Sequence, residues 1–569
     1  MRRCISLVVL LTVCGLCASC RSSTGNVGAA AELGSTSARP AAPAAQARQA
    51  IVVSDPPPEP APSALGSASS VNAPGTNAPA SESGTGAAAE ALPAATVPPP
   101  APAAQKTNRL PQKVSLSYCC ELARKLNKSI RAAAFEAQAA RARVMAARGE
   151  FDPTLFAVGS GGRTDIPVAG IPVTEASISQ RAFTAGIRQR LLTGTNIELD
   201  ATAQYVRDLT GMTALNPQHE TELTLSVTQD LLRNFGVGIN RTSISIAENN
   251  WGIATEALRD AIIQSLFEVE SAYWDLYFAI ADLKVRQMQL ERATKLVQRA
   301  EAQVRVGEAA PIEVTRAKAS AAAQVTSILG AKNSITKLRR RLLRAIGILD
   351  SGMAEADFEL GDAPPVEFLK TSFEEAYEAA LKYRPDYIQA VFALENADLT
   401  RKSASNQRLP KLQLFGSAST AGLADKLDTS IDMAERGRFN SWEAGLAFEF
   451  PIPNRTARGN YRAAENEHHR TKVQVKDLVQ RITRDVADAL SDLRTAEESI
   501  TSAKEAHELA ERLLTAEEKS FSLGRSNGVD VLIAQENAAS AERDEVRAHT
   551  DYAMALANLL RVQGTLDRR

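Results

Sequence analysis

The sequence predicts an α+β membrane protein in which long antiparallel helical hairpins alternate with groups of β-strands, the whole arrangement occurring twice. Three observations predict it. "LLRAIG" (Leu342 to Gly347) returns as "LLRVQG" (Leu559 to Gly564), an offset of 217 positions. At the same offset "VGEAAPIEV" (Val306 to Val314) answers to "LGRSNGVDV" (Leu523 to Val531), and "AEN" (Ala247 to Asn249) to "AEN" (Ala464 to Asn466). Finally, each half changes from helical to alternating apolar periodicity and back.

The chain starts with Arg2 and Arg3, an apolar run from Ile5 to Leu16 and small residues before Cys20, the pattern of a secretory signal over residues 1–20. "LCASC" (Leu16 to Cys20) resembles a bacterial lipoprotein cleavage box with Cys20 as the acylated residue. It departs from that pattern by placing Cys17, not Leu, three residues before the acceptor, and ordinary signal cleavage is the alternative. Four of the six cysteines lie in or beside this segment, which leaves no disulfide framework. The remaining two, Cys119 and Cys120, read as small apolar residues on a helix.

Residues 21–108 collapse to Ala, Pro, Ser and Gly, with "PPPEPAPSA" and "TVPPPAPAAQ" among them. Such a segment buries too little apolar surface to offset its chain entropy, so a disordered tether is expected. Beyond the signal no run of about 18 apolar residues occurs. A membrane crossing would therefore have to be a β-barrel.

The first repeat is placed at 109–350, a connecting segment at 351–371 and the second repeat at 372–569. A helix from about Leu116 to Arg148 opens the first, and a helix from about Phe373, interrupted by "RPDYI" (Arg384 to Ile388), opens the second. Strands follow at about 154–232 and about 411–453, in "LFAVGSGG", "FTAGIRQRLL", "NIELDATAQYV", "ELTLSVTQDLL", "LQLFGSAST" and "SWEAGLAFEFPIP". Nine or more alternating residues match the length of a transmembrane strand.

Helical hairpins close the halves, at about 241–347 and about 458–564. From Arg241 to Val306 no proline occurs, and Leu258, Ile262, Val269, Tyr273, Leu276, Ile280 and Leu283 keep three-and-four spacing before Leu290, Val297 and Val304 recur at sevens. At about 1.5 Å per residue this rod measures about 100 Å. In the second rod Leu478, Ile482, Val486, Leu490, Leu493 and Ile500 form the stripe, with Ala487, Ala496, Ala503 and Ala510 beside it allowing close helix approach. Each rod stops at a glycine, Gly307 or Gly524, before a return helix to Gly347 or Gly564.

Composition excludes several classes. Lys plus Arg is 65 against Asp plus Glu 66, a net charge of −1 that gives no field for nucleic acid. His468 and His469 sit on consecutive helical positions about 100° apart and read as a solvated face rather than metal ligands. "GSGG" (Gly159 to Gly162) lacks a following Lys and helix, so it reads as a loop and not a phosphate cradle. Neither a catalytic constellation nor a metal or cofactor site is expected.

Signal, strand groups and long hairpins, all in duplicate, together with "RPD" (Arg384 to Asp386) and the turn residues Gly524, Asp530, Val531 and Leu532, resemble the TolC family of outer-membrane efflux proteins over about residues 110–565. The resemblance implies a homotrimer whose strands share one outer-membrane barrel and whose helices form a hollow periplasmic tunnel. It implies partners as well: a periplasmic adaptor protein, an inner-membrane pump and the surrounding outer-membrane lipid, with no nucleic acid. The adaptor would dock at the tips, Val306 and Gly307 in one hairpin and Leu523 and Gly524 in the other. Asp530 matches the first aspartate of the family's periplasmic gate, and the alternative is a helix N-terminal carboxylate favoured by the dipole. The second gate aspartate is replaced by Ile533, and the aromatic latch, often tyrosine, is Phe521. Glu313, the first-half counterpart of Asp530, has Arg316 one turn away and reads as structural.

A second departure lies in the first strand group, where the segment from Pro153 to Asp230 has room for an extra pair of alternating stretches joined by "LLTGTN" (Leu191 to Asn196). Six membrane strands per chain would make a barrel of eighteen in place of the family's twelve; an extracellular or periplasmic hairpin is the alternative. The function implied is a passive exit duct of a tripartite efflux or type I secretion system. A periplasmic coiled-coil structural or adaptor lipoprotein is the rival. It would explain rods and tether, but not strands returning at matched positions.

Overall fold

The computed structural model describes residues 111–168, 174–208, 213–307, 310–350, 352, 357–365 and 368–568. Cys20, the signal and the tether lie outside the described residues. A short strand β1 (Lys113–Val114) leads into helices α1 (Leu116–Leu126) and α2 (Lys128–Arg148). Strands β2 (Thr154–Val168), β3 (Thr174–Arg190), β4 (Thr195–Asp208) and β5 (Gln218–Asp230) precede the rod α3 (Thr242–Arg305) and its return helix α4 (Pro311–Ile346). After β6 (Glu359–Leu360) come α5 (Phe373–Tyr383), α6 (Pro385–Asn406), β7 (Lys411–Ala424), a short helix α7 (Leu427–Glu435) and β8 (Phe439–Glu449). The second rod α8 (Arg455–Ser522) and return helix α9 (Gly528–Gln563) complete the body.

The rods pack along the stripes their spacing predicts. Val269, Tyr273 and Leu276 are buried on α3, as are Leu478, Ile482, Val486, Leu490, Leu493 and Ile500 on α8. Each return helix ends in a left-handed glycine, Gly347 at φ 91° and Gly564 at φ 70°. Gly347 could not be otherwise, because a Cβ there would lie 2.8 Å from the Leu126 carbonyl oxygen.

Six expectations need correction. Gly159 to Gly162, read as a loop, lie within β2 and pair with β3, because strand pairing satisfies their backbone groups. The helix expected from Leu116 to Arg148 is two helices, broken at Asn127 (ψ 130°), whose side-chain oxygen accepts from the Ser129 and Ile130 amides and caps α2. The loop between the last two strands contains α7. The connecting segment contributes β6, which pairs in parallel with β1. Toward the tip of α3 the buried positions are Ala293, Leu296 and Ala300, while Leu290, Val297 and Val304 are half-buried. Ala487 is exposed and Ala489 takes the close-packed place on α8.

All six long strands join one antiparallel sheet in the order β2-β3-β4-β5-β7-β8. The short turn 191–194 returns β3 to β4, with Gly194 at φ 90° so close to Asn234 that a Cβ would sit 2.6 Å from its carbonyl oxygen. Helix α7 folds over the far end of the sheet. There Ser430 Oγ donates to the Gly422 carbonyl (2.7 Å) and lies 3.0 Å from Thr221 Oγ1.

Candidate functional site

Two regions carry the features singled out in the sequence: the hairpin tips and the sheet. At the tips Gly307 (φ 80°) and Gly524 (φ 68°) reverse the chain, and Val306 and Leu523 beside them are exposed. The second turn is closed by Asn527, whose Oδ1 accepts from the amides of Val529 (2.9 Å) and Asp530 (3.0 Å) to start α9. Asp530 and Ile533 are exposed one turn apart on the same face of that helix.

The two tips lie side by side around a cavity of about 340 Å³ lined by Leu296, Ala300, Glu313, Phe521, Gly524 and Leu532. Phe521 therefore faces the first hairpin across this cavity. Glu313 holds Arg316 at 2.7 Å, and its carboxylate is 3.3 Å from the place a Cβ on Gly528 would take. A glycine at the start of α9 lets the first hairpin's carboxylate approach the second tip.

In the sheet, pairing aligns side chains into rows whose members share a face. One row crosses all six strands as Leu155, Ile187, Leu199, Leu225, Ala418 and Trp442. Its neighbour on the opposite face reads Thr154, Arg188, Glu198, Ser226, Ser417 and Glu443. Trp442 is 82% exposed, Leu155 69% and Leu446 66%, so the apolar face is uncovered at these positions, while α7 covers its far end over Thr221, Thr420 and Gly422. The polar face adds Asp200, Glu222 and Thr224 close by. Both β2 and β8 pair on one side only among the described residues and leave an open edge at each end of the sheet.

Two arginines that sequence reasoning left without a role tie the rods to the α5–α6 break and to the residues after α9. Arg384, at the α5–α6 break, reaches Asp485 on α8 at 2.9 Å. Arg259 on α3 donates to the carbonyls of Tyr383 (2.9 Å) and Gly564 (2.7 Å) and pairs with Asp567 at 2.9 Å. The signal for Arg384 was the "RPD" motif itself; Arg259 has none, being one of many charges on a long helix. His468 and His469 stand edge to face at 5.7 Å, and no group of three potential metal ligands occurs among the described residues.

Residues 196–348 and 376–565, together more than half of the chain and each segment carrying one hairpin, match the family described as outer membrane efflux protein. The chain is 24% identical over 328 residues to the outer membrane efflux protein BepC of Brucella suis biovar 1 (strain 1330), covering 57% of this chain and 69% of that protein. Among solved structures it superposes on the outer-membrane channel OprN with a TM-score of 0.61 at 18% identity, over 79% of this chain and 90% of the other. It superposes on the outer membrane protein VceC of Vibrio cholerae with a TM-score of 0.58 at 19% identity, over 79% of this chain and 96% of the other.

Proposed function

This chain belongs to the outer membrane efflux protein family, and on that premise we propose that it is the outer-membrane duct of a tripartite efflux or type I secretion system. Three copies share one barrel, each contributing its six-stranded sheet, with the apolar row toward lipid and the polar row lining the lumen. The observation that carries this reading is that continuous apolar row across six strands, with charged and hydroxyl side chains directly behind it. The open edges of β2 and β8 support closure by neighbouring copies, since a closed barrel leaves no unpaired backbone in lipid. A coiled-coil structural or adaptor lipoprotein would leave this uncovered apolar face without a purpose.

The helices continue the duct into the periplasm. Two hairpins of similar length in each of three chains give a wall of six near-equivalent units, which is the physical use of the duplication. The tips at Val306, Gly307, Leu523 and Gly524 dock the adaptor, and the exposed Asp530 of three copies narrows the entrance with negative charge. Phe521, facing the first hairpin across the cavity between the tips, offers an apolar ring in place of a hydroxyl latch. Transport energy comes from the inner-membrane pump, and the chain works as a conduit without catalysis.

The test is conductance of the purified protein in planar lipid bilayers. The duct reading expects cation-preferring currents whose cation-to-anion permeability ratio falls several-fold in Asp530→Asn. Currents with unchanged selectivity in that variant would remove Asp530 from the entrance, and a protein that never conducts would remove the duct.

A further inference from the structure

The apolar face of the sheet does not stay apolar to its far end. Counting outward along β4, Leu199, Ala201 and Ala203 give way to Tyr205 and then to Arg207. Tyr205 lies directly opposite Arg181 on one side and His219 on the other, its ring 5.1 Å from that of His219. One row further out, Ser179 of β3 stands between Arg163 of β2 and Arg207 of β4. Three guanidinium-bearing residues are thus gathered on the membrane-facing side, Arg181 in the row of the Tyr205 and His219 rings and Arg163 and Arg207 one row beyond it. All three are exposed.

At a strand spacing of about 4.8 Å, Arg163 and Arg207 are about 10 Å apart, with Arg181 on the strand between them. Like charges at such diagonal positions repel. Arg163 has a carboxylate on the same face, Asp165, at 2.9 Å. Asp425 and Asp428 stand beside His219 toward β7, Asp432 of α7 is paired with Arg436, and Asp208 and Glu220 alternate onto the opposite face of the sheet. The patch keeps an excess of positive charge in a chain whose net charge is −1. Rigid strands hold the three stems, and a guanidinium fork fits a phosphate oxygen pair.

We infer that Arg163, Arg181 and Arg207 form a clamp for the phosphate groups of a lipid in the outer leaflet. The inference rests on the duct reading, which assigns this face to lipid and this end to the cell exterior. Charge complementarity and continuity with the lipid-facing belt commit the surface to a membrane lipid rather than a soluble anion: the acyl chains of such a lipid would lie along Leu199 and Leu225 while its headgroup met the arginines. The clamp would fix the depth at which the barrel sits in the membrane.

The experiment titrates the full-length protein in detergent with bisphosphorylated lipid A and with its dephosphorylated counterpart, reading bound lipid by native mass spectrometry. Binding should require the phosphates, weaken about tenfold or more in R181Q/R207Q, and recover substantially in R181K/R207K, which keeps the charge but loses the fork. Inorganic phosphate in large excess should not compete, since it lacks the acyl chains. Equal binding of the two lipids, or an unaffected R181Q/R207Q variant, would overturn the clamp. So would full competition by inorganic phosphate, or an image showing these arginines paired with acidic residues of a neighbouring copy. Imaging the same preparation separates the two ideas: a threefold barrel without phosphate-dependent binding defeats the clamp alone, whereas absence of a barrel defeats the duct.

Discussion

Arg259 shows how single residues hold this architecture together. Its side chain is 18% exposed and joins α3 to the last residues of the chain and to the α5–α6 break through four hydrogen bonds. Replacing it by Ala strands Asp567 and two carbonyls, and should cost about 3 kcal/mol, read as a lower thermal midpoint in detergent. Asn127 does comparable work in the first half, donating to Ser265 Oγ and the Ala345 carbonyl, both at 2.7 Å, while its oxygen caps α2. Asn127→Ala should cost about 2 kcal/mol in the same measurement. The partners of Asn127 are 138 and 218 residues away, which is why the helix break was not legible: locally the residue is compatible with a continuous helix. At Cys119, burial pushes the thiol up to about 12, with Cys120 and Asp362 adding to the effect. Folded protein at pH 8 should therefore leave Cys119 unalkylated by iodoacetamide, and denatured protein should not; equal labelling in both would mean that α1 is not packed as described.

Among elements, those with a strong period were the most legible. Rods and return helices begin and end within a few residues of their predicted bounds because glycine and proline punctuate them. The six strands were visible as alternation, yet their extent was underread, since β2 and β3 run past the apolar positions into polar ones. Helix α7 escaped because nine residues carry too little periodicity, and its place is decided by tertiary contact. Gly422 makes that contact possible: a Cβ there would lie 1.9 Å from the Ser430 carbonyl oxygen. Gly422→Val should lift α7 off the sheet while leaving the ladder intact, detectable as faster amide exchange confined to residues 427–435; unchanged exchange would show that α7 tolerates the displacement. The tips were legible individually, from Gly307 and Gly524. Their meeting around Phe521 was not, because it depends on how two rods far apart in sequence lie together.

For the whole molecule, the uncovered apolar row and the two open sheet edges demand partners that the single chain does not supply. On the duct reading proposed above, neighbouring copies pair the edges and membrane lipid covers the row. With six strands in the sheet of each chain, the proposed trimer would close a barrel of eighteen, wider than the twelve-stranded plan of the resembling family. Single-particle imaging of the full-length protein purified in detergent from outer membranes tests this most directly. The account predicts a hollow threefold cylinder with eighteen strands above a helical shaft of about 100 Å. A twelve-stranded barrel would contradict the wider lumen, and solid rods or a monomer without a lumen would contradict the duct itself.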